Sequence, residues 1–255
     1  SIIIGLIKER NKNSKAKIFT IDGGLSKITE LLSKKFINQL MLNTKVLSIV
    51  KLNESYKITL NEGEHIFCKQ IISTIPSYSL KDIVFDDNLK GVLSKVNYNP
   101  IDVFHFGFDR DALDVKIDGF GLLTKPQDKK SFLGVLFSSN IFEHVSNNKK
   151  FLITVLAGGD RQKDLCKKSP KVLEKEILNE ILPLLRFKSK PEFKNHFRWS
   201  KGIPSYSMSV TRLQKHIKIF EESNKGFHII GNYHLGVSVS DCIKNSKELV
   251  EAKFK

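Results

Sequence analysis

The chain closes on GNYHLGVSVSDCIKNSKELVEAKFK, Gly231 to Lys255. A short apolar strand, Phe227 to Ile230, runs into this stretch, and a segment of helical spacing, Asp241 to Phe254, runs out of it. Small side chains lie between, Gly236-Val237-Ser238-Val239-Ser240-Asp241. Ser238, Ser240 and Asp241 are each able to cap a helix start. Gly236 permits close approach of a backbone, so the N–H groups of Val237 to Asp241 are expected to face outward. An exposed helix start favours negative charge by ~0.3–1 kcal/mol. These residues alone leave two readings open: a plain capped turn, or a seat for an anionic, acceptor-rich group.

A similar arrangement recurs near the other end. Ile18 to Ile21 reads as a strand, Asp22-Gly23-Gly24 as a turn, and Leu25 to Phe36 as a helix with apolar spacing at Leu25, Ile28, Leu31 and Leu32. Short strands are expected at Val46 to Val50, Tyr56 to Leu60, His65 to Cys68 and Gln70 to Ile75, with Asn61-Glu62-Gly63 as a hairpin turn. Further strands are expected at Ile101 to Phe108, Phe120 to Thr124, Phe132 to Phe137, Phe151 to Leu156 and Phe193 to Trp199. Ser169 caps a helix that starts at Pro170 and runs through Ile181, and Ser209 to Phe220 is an amphipathic helix. The class is α+β or α/β: a sheet-rich middle flanked by strand-turn-helix units that aim helix starts at turns poor in side chains.

Composition narrows the function. The 255 residues are 40% hydrophobic and 27% charged, as in ordinary folded domains. No uncharged apolar run approaches the ~18 residues of a membrane span. Net charge is +15, but 36 of the 42 basic residues are Lys, scattered and without interleaved aromatics. Nucleic-acid recognition favours the planar fork of Arg, so an anionic substrate or membrane surface fits better. Cys68, Cys166 and Cys242 are far apart, with no CxxC, and no HExxH pair occurs, so reduced thiols and no metal site are expected. The first Met is Met41, which suggests a chain that begins in mid-protein.

Several segments, in order, resemble the FAD-dependent protoporphyrinogen oxidases: FTIDGGLSKITELLSKKF, KVLSIVKLNESYKITL, IISTIPSYSL, GFGLLTKP, FLGVLFSSNIFEHV, FLITVLAGGDR, FRWSKGIPSY and GNYHLGVSVSDCI. IISTIP recurs across amine-oxidase-like flavoproteins, whereas LGVLFSS, LAGGDR and GNY..GVSVSDCI are more specific together. The resemblance covers the family's C-terminal half. The family's GxGxxG fingerprint has no match here, so a fragment, or a half whose complement is supplied separately, is expected. The resemblance implies part of a two-domain flavoprotein. Residues 1–75 and 227–255 would belong to a discontinuous FAD-binding domain, and 76–226 to a mixed-sheet substrate domain.

The resemblance also assigns residues. Val46, Trp199, Val237, Ser238 and Val239 match FAD-contacting positions. Leu123, Leu136 and Leu156 match the apolar walls of a porphyrinogen pocket, Leu156 standing where many relatives carry Phe. Core packing is the competing reading for Val46, Trp199 and the three leucines. Departures occur after Pro204-Ser205-Tyr206, where the family has a Gly-His pair, and at Asn245-Ser246, where it has Ser-Gly. The implied reaction is oxidation of protoporphyrinogen IX to protoporphyrin IX with dioxygen as acceptor. Alternatives are coproporphyrinogen oxidation, another amine-oxidase-like oxidoreduction, or a non-catalytic fragment. A cytoplasmic location, peripheral contact at the inner face of the cell membrane through the upstream part, and a homodimer are further implications. No side chain stands out as an acid or base, and Asp241 reads as a cap.

Overall fold

The computed structural model describes residues 20–206 and 209–254. Ile18 and Phe19 of the expected first strand lie outside them. The turn that follows is present, with Gly24 N–H donating to Ile21 O at 2.8 Å, and it leads into helix α1, Ser26–Lys35.

A meander comes next: β1 Val46–Lys51, β2 Tyr56–Leu60 and β3 His65–Cys68 pair antiparallel in that order. Asn61-Glu62-Gly63 turns the chain between β2 and β3, and Gly63 at φ +81° takes the left-handed conformation the turn requires. Strand β4, Ile71–Ser73, pairs in parallel with β10, Phe227–Ile229, more than 150 residues away in sequence. Two short helices, α2 Ser77–Ile83 and α3 Asp87–Leu93, follow β4. The Asp86 side chain caps α3 by accepting from Leu89 N–H.

The central sheet has five strands: β5 Tyr98–Asp109, β6 Gly121–Leu123, β7 Gly134–Leu136, β8 Lys150–Gly158 and β9 Phe193–Pro204. Their spatial order is β6-β7-β8-β5-β9, antiparallel throughout. Side-chain alternation along β5 and β8 divides the sheet into two faces. Phe104, Phe106, Phe108, Phe151, Ile153 and Val155 point to one face and are fully buried. Helix α5, Pro170–Leu184, covers that face with Leu173, Ile177 and Ile181, and Ser169 caps it as expected. Each buried Phe contributes about 1.5–3 kcal/mol of transfer free energy, so this face anchors the sheet. The opposite face stays open among the described residues.

A second core gathers Ile49 and Tyr56 of the meander, Leu80, Leu89 and Leu93 of α2 and α3, and Phe227 and Ile229 of β10. Helix α6, Ser209–Ser223, adds Leu213, Ile217 and Phe220. Residues 77–93 and 209–223 bury their apolar sides in this core with β4 and β10. Helix α7, Val239–Lys253, closes the chain, beginning two residues earlier than its apolar spacing predicts because Ser238 caps it.

Candidate functional site

The three leucines expected to wall a substrate pocket come from three strands, and strand pairing brings them together. Leu123 of β6 faces Gly134 of β7, and Gly134 faces Leu156 of β8. The absence of a side chain at Gly134 leaves space that Leu123 fills, because a Cβ there would lie 2.8 Å from the Leu123 side chain. Leu136 stands two residues along β7, opposite Thr154. The row continues from Leu156 to Val103 of β5 and on to Phe197 of β9. All of these lie on the open face. The core-packing alternative fails for Leu123, which is 86% exposed. Leu136 and Leu156 are half-buried.

Trp199 shares this face. It pairs opposite Ile101 and its ring lies 4.5 Å from that of Phe197. At 54% exposure it is not the core aromatic that its size suggested. The strand is held in register from behind: His196 Nε2 and Arg198 Nε bond the buried Asp102 Oδ1 at 2.5 and 2.8 Å. Because side chains alternate, fixing 196 and 198 on one side fixes Phe197 and Trp199 on the other.

A second locus lies where β4 and β10 end. A cavity of about 600 Å³ is lined by Thr74, Pro76, Gly231, Val237, Val239 and Ile243, among others. It sits at the carboxyl ends of the parallel pair and at the start of α7, the place where open α/β sheets receive ligands. Ser238 itself is spent on structure. Its Oγ accepts from Asp241 N–H at 3.0 Å and donates to Asp241 Oδ2 at 2.7 Å, and its N–H donates to the same oxygen at 3.2 Å. The expectation of outward N–H groups from Val237 to Asp241 is therefore corrected at Ser238 and Asp241. Those of Val239 and Ser240 have no acceptor among the described residues. Gly236 also has another task. At φ +133°, its missing Cβ would lie 2.6 Å from Asp241 Cβ, so the space belongs to the capping carboxylate rather than to a ligand.

Tyr206 links the two loci and was not singled out from sequence. Its hydroxyl donates to Asn232 O at 2.7 Å and accepts from Gly236 N–H at 2.8 Å, tying the end of β9 to the loop before α7. Buried His234 bonds Ile229 O across the same loop, and burial pushes its imidazole down to about 4, so it stays neutral. Val46 is half-buried and lines a separate cavity of about 520 Å³ with Ile75 and Ser79. The segment Thr74–Pro76 stands between the two cavities, Ile75 facing one and its neighbours the other. The structure thus groups Val237 and Val239, sets Val46 in the adjacent cavity, and places Trp199 with the leucines.

A model of the flavin containing amine oxidoreductase family matches residues 4–251. The mitochondrial protoporphyrinogen oxidase of Nicotiana tabacum is 26% identical over 262 residues, covering 94% of this chain and 52% of that protein. The protoporphyrinogen oxidase of Dictyostelium discoideum is 30% identical over 274 residues, covering 93% and 52%. A crystal structure from Exiguobacterium sp., assigned as a protoporphyrinogen oxidase, superposes with a TM-score of 0.78 at 18% identity over 96% of this chain and 54% of that one. Reduced UDP-galactopyranose mutase gives 0.67 at 17% identity over 91% and 52%. At such identities the structural likeness speaks for fold alone. The chain spans about half the length of the curated relatives it matches.

Proposed function

Since this chain belongs to the flavin containing amine oxidoreductases, we propose that it forms the macrocycle-binding part of an FAD-dependent protoporphyrinogen oxidase. The observation that carries the reading is the open sheet face, where Leu123, Leu136, Leu156, Val103, Phe197 and Trp199 make a broad apolar floor. A porphyrinogen is a large apolar macrocycle with an anionic edge, and a flat apolar floor is what such a ligand requires. Dioxygen as final acceptor, and a cytoplasmic site at the inner face of the cell membrane, belong to the same reading.

The second locus fits an anionic, acceptor-rich cofactor. Val239 and Ser240 offer unpaired N–H groups at a helix start beside a cavity. Val237 and Val239 would hold FAD there, with Val46 contacting it from the adjacent cavity and Trp199 from the sheet face. The bound flavin supplies two-electron oxidation. The chain's own residues supply orientation and dryness. The leucines and Phe197 exclude water from the macrocycle, the Asp102 network fixes the aromatic pair, and Tyr206 ties the substrate sheet to the cofactor loop.

Leu123→Asn and Leu136→Asn test the floor. Each sets an unpaired amide against an apolar ring, costing about 1–3 kcal/mol of binding, roughly tenfold or more in KM. Leu156→Phe should be tolerated and tighten binding by stacking. Turnover of protoporphyrinogen and of coproporphyrinogen is read beside a thermal melt. Because Leu123 is exposed, its variant should melt with the parent, so a KM shift there cannot come from unfolding. Unchanged KM in both Asn variants would reject the assignment.

A further inference from the structure

The apolar floor is interrupted by one polar row. Thr154 of β8, opposite Leu136, faces His105 of β5, which faces Asn195 of β9. His105 Nδ1 lies 3.0 Å from Thr154 Oγ1, and Thr154 Oγ1 lies 2.7 Å from Ser138 Oγ. Ser138 opens the short helix α4, Ser138–Ile141, and is half-buried. The chain of bonds therefore runs from the middle of the floor towards the end of β7.

Its wiring leaves one ring nitrogen unused. When Nδ1–H donates to Thr154 Oγ1 and the Thr154 hydroxyl donates to Ser138 Oγ, Nε2 keeps its lone pair. Nε2 has no partner among the described residues. The neighbours of His105 on this face, Thr154, Asn195, Val103, Gly107, Leu156 and Phe197, carry no ionisable group. Burial lowers the imidazole below its usual value, so it is neutral and free to accept.

The proposed reaction has need of such a group. A two-electron oxidation of a porphyrinogen removes a hydride from a ring carbon and leaves one proton in excess on pyrrole nitrogen. In an apolar pocket that charge is costly until the proton leaves. We propose that His105 Nε2 accepts this proton from pyrrole nitrogen and that Thr154 and Ser138 pass a proton on to solvent. The inference rests on the floor holding a porphyrinogen. The N–H bond of the macrocycle breaks and its electron pair stays on the nitrogen. Nε2–H forms, Nδ1–H passes to Thr154 Oγ1, the Thr154 hydroxyl proton passes to Ser138 Oγ, and the Ser138 proton passes to water. One proton enters the chain and one leaves.

The test compares His105→Phe, Thr154→Val and Leu136→Asn in the active holoenzyme, with kcat and KM measured in ordinary and heavy water. His105→Phe should lower kcat by on the order of 10²-fold with KM little changed. Thr154→Val, nearly isosteric, should lower kcat by a smaller factor and enlarge the solvent isotope effect. Nitrogen resonances of labelled imidazole should show Nε2 as the unprotonated nitrogen in the parent, with that preference lost in Thr154→Val. If KM rises in Leu136→Asn while both relay variants turn over normally, the inference falls and the floor stands. If neither Leu136→Asn nor Leu123→Asn raises KM, floor and inference fall together. A fall in kcat that follows only the folded fraction in melts, with the isotope effect unaltered, also overturns it.

Discussion

Asp102 is fully buried on the core side of β5, yet charged. Desolvation pushes its carboxyl up, but the hydrogen bonds from Arg198 and His196 outweigh this and hold it below the usual carboxylate value. The Cys166 thiol beside it is pushed up to about 12 by burial and by the carboxylate, which leaves it inert as a nucleophile. Asp102→Asn keeps the shape and removes the charge that Arg198 and His196 answer. Breaking a buried pair costs about 3–5 kcal/mol, and because Arg198 is 28% exposed the lower end is expected. The sign with pH follows from the depressed carboxyl. Its stabilisation is complete above the unfolded value of about 3.9 and disappears as pH falls through the lower folded value. Chemical melts of parent and variant should therefore differ most at neutral pH and converge in acid. A gap that stays constant down to pH 2 would contradict this. His105 shows what a sequence conceals at this scale: nothing in its neighbours along the chain marks it, because Thr154 and Ser138 reach it only across the sheet.

At the scale of the element, α7 is held by its start. Ser238→Ala removes the acceptor for Asp241 N–H and should cost about 1 kcal/mol. Gly236→Val should cost more, since it combines a left-handed φ with a clash against Asp241. Thermal melts separate the two, and equal losses would dissociate Gly236 from the cap. The capping residues were visible in the sequence because Ser and Asp three apart form a local pattern. The role of Gly236 was not, since a sequence marks where a side chain is missing and does not say what fills the space. Helices α2 and α3 escaped the reading because seven residues hold too few turns to display a period. The long strand β5 was readable from its alternation. Its place between β8 and β9 was not, because its pairing partners in β9 lie close to or beyond a hundred residues away.

Across the whole molecule, a resemblance carried the three leucines where spacing could not, since they share one sheet face only after β6, β7 and β8 have paired. The division into two cores likewise depends on α2, α3 and α6 returning to β4 and β10, a choice made by packing rather than by local pattern. Apolar side chains remain uncovered among the described residues on α1, at Leu31 and Leu32, and on α7, at Val239, Ile243 and Val250. Patches of this kind mark surfaces built to be covered. The sheet floor differs in carrying the chain's single tryptophan, Trp199, at its edge. All indole emission therefore comes from one known spot, half in water and touching Phe197. A light-absorbing tetrapyrrole laid on the floor would quench it, so the protein carries its own fluorescent gauge of whether the floor is filled.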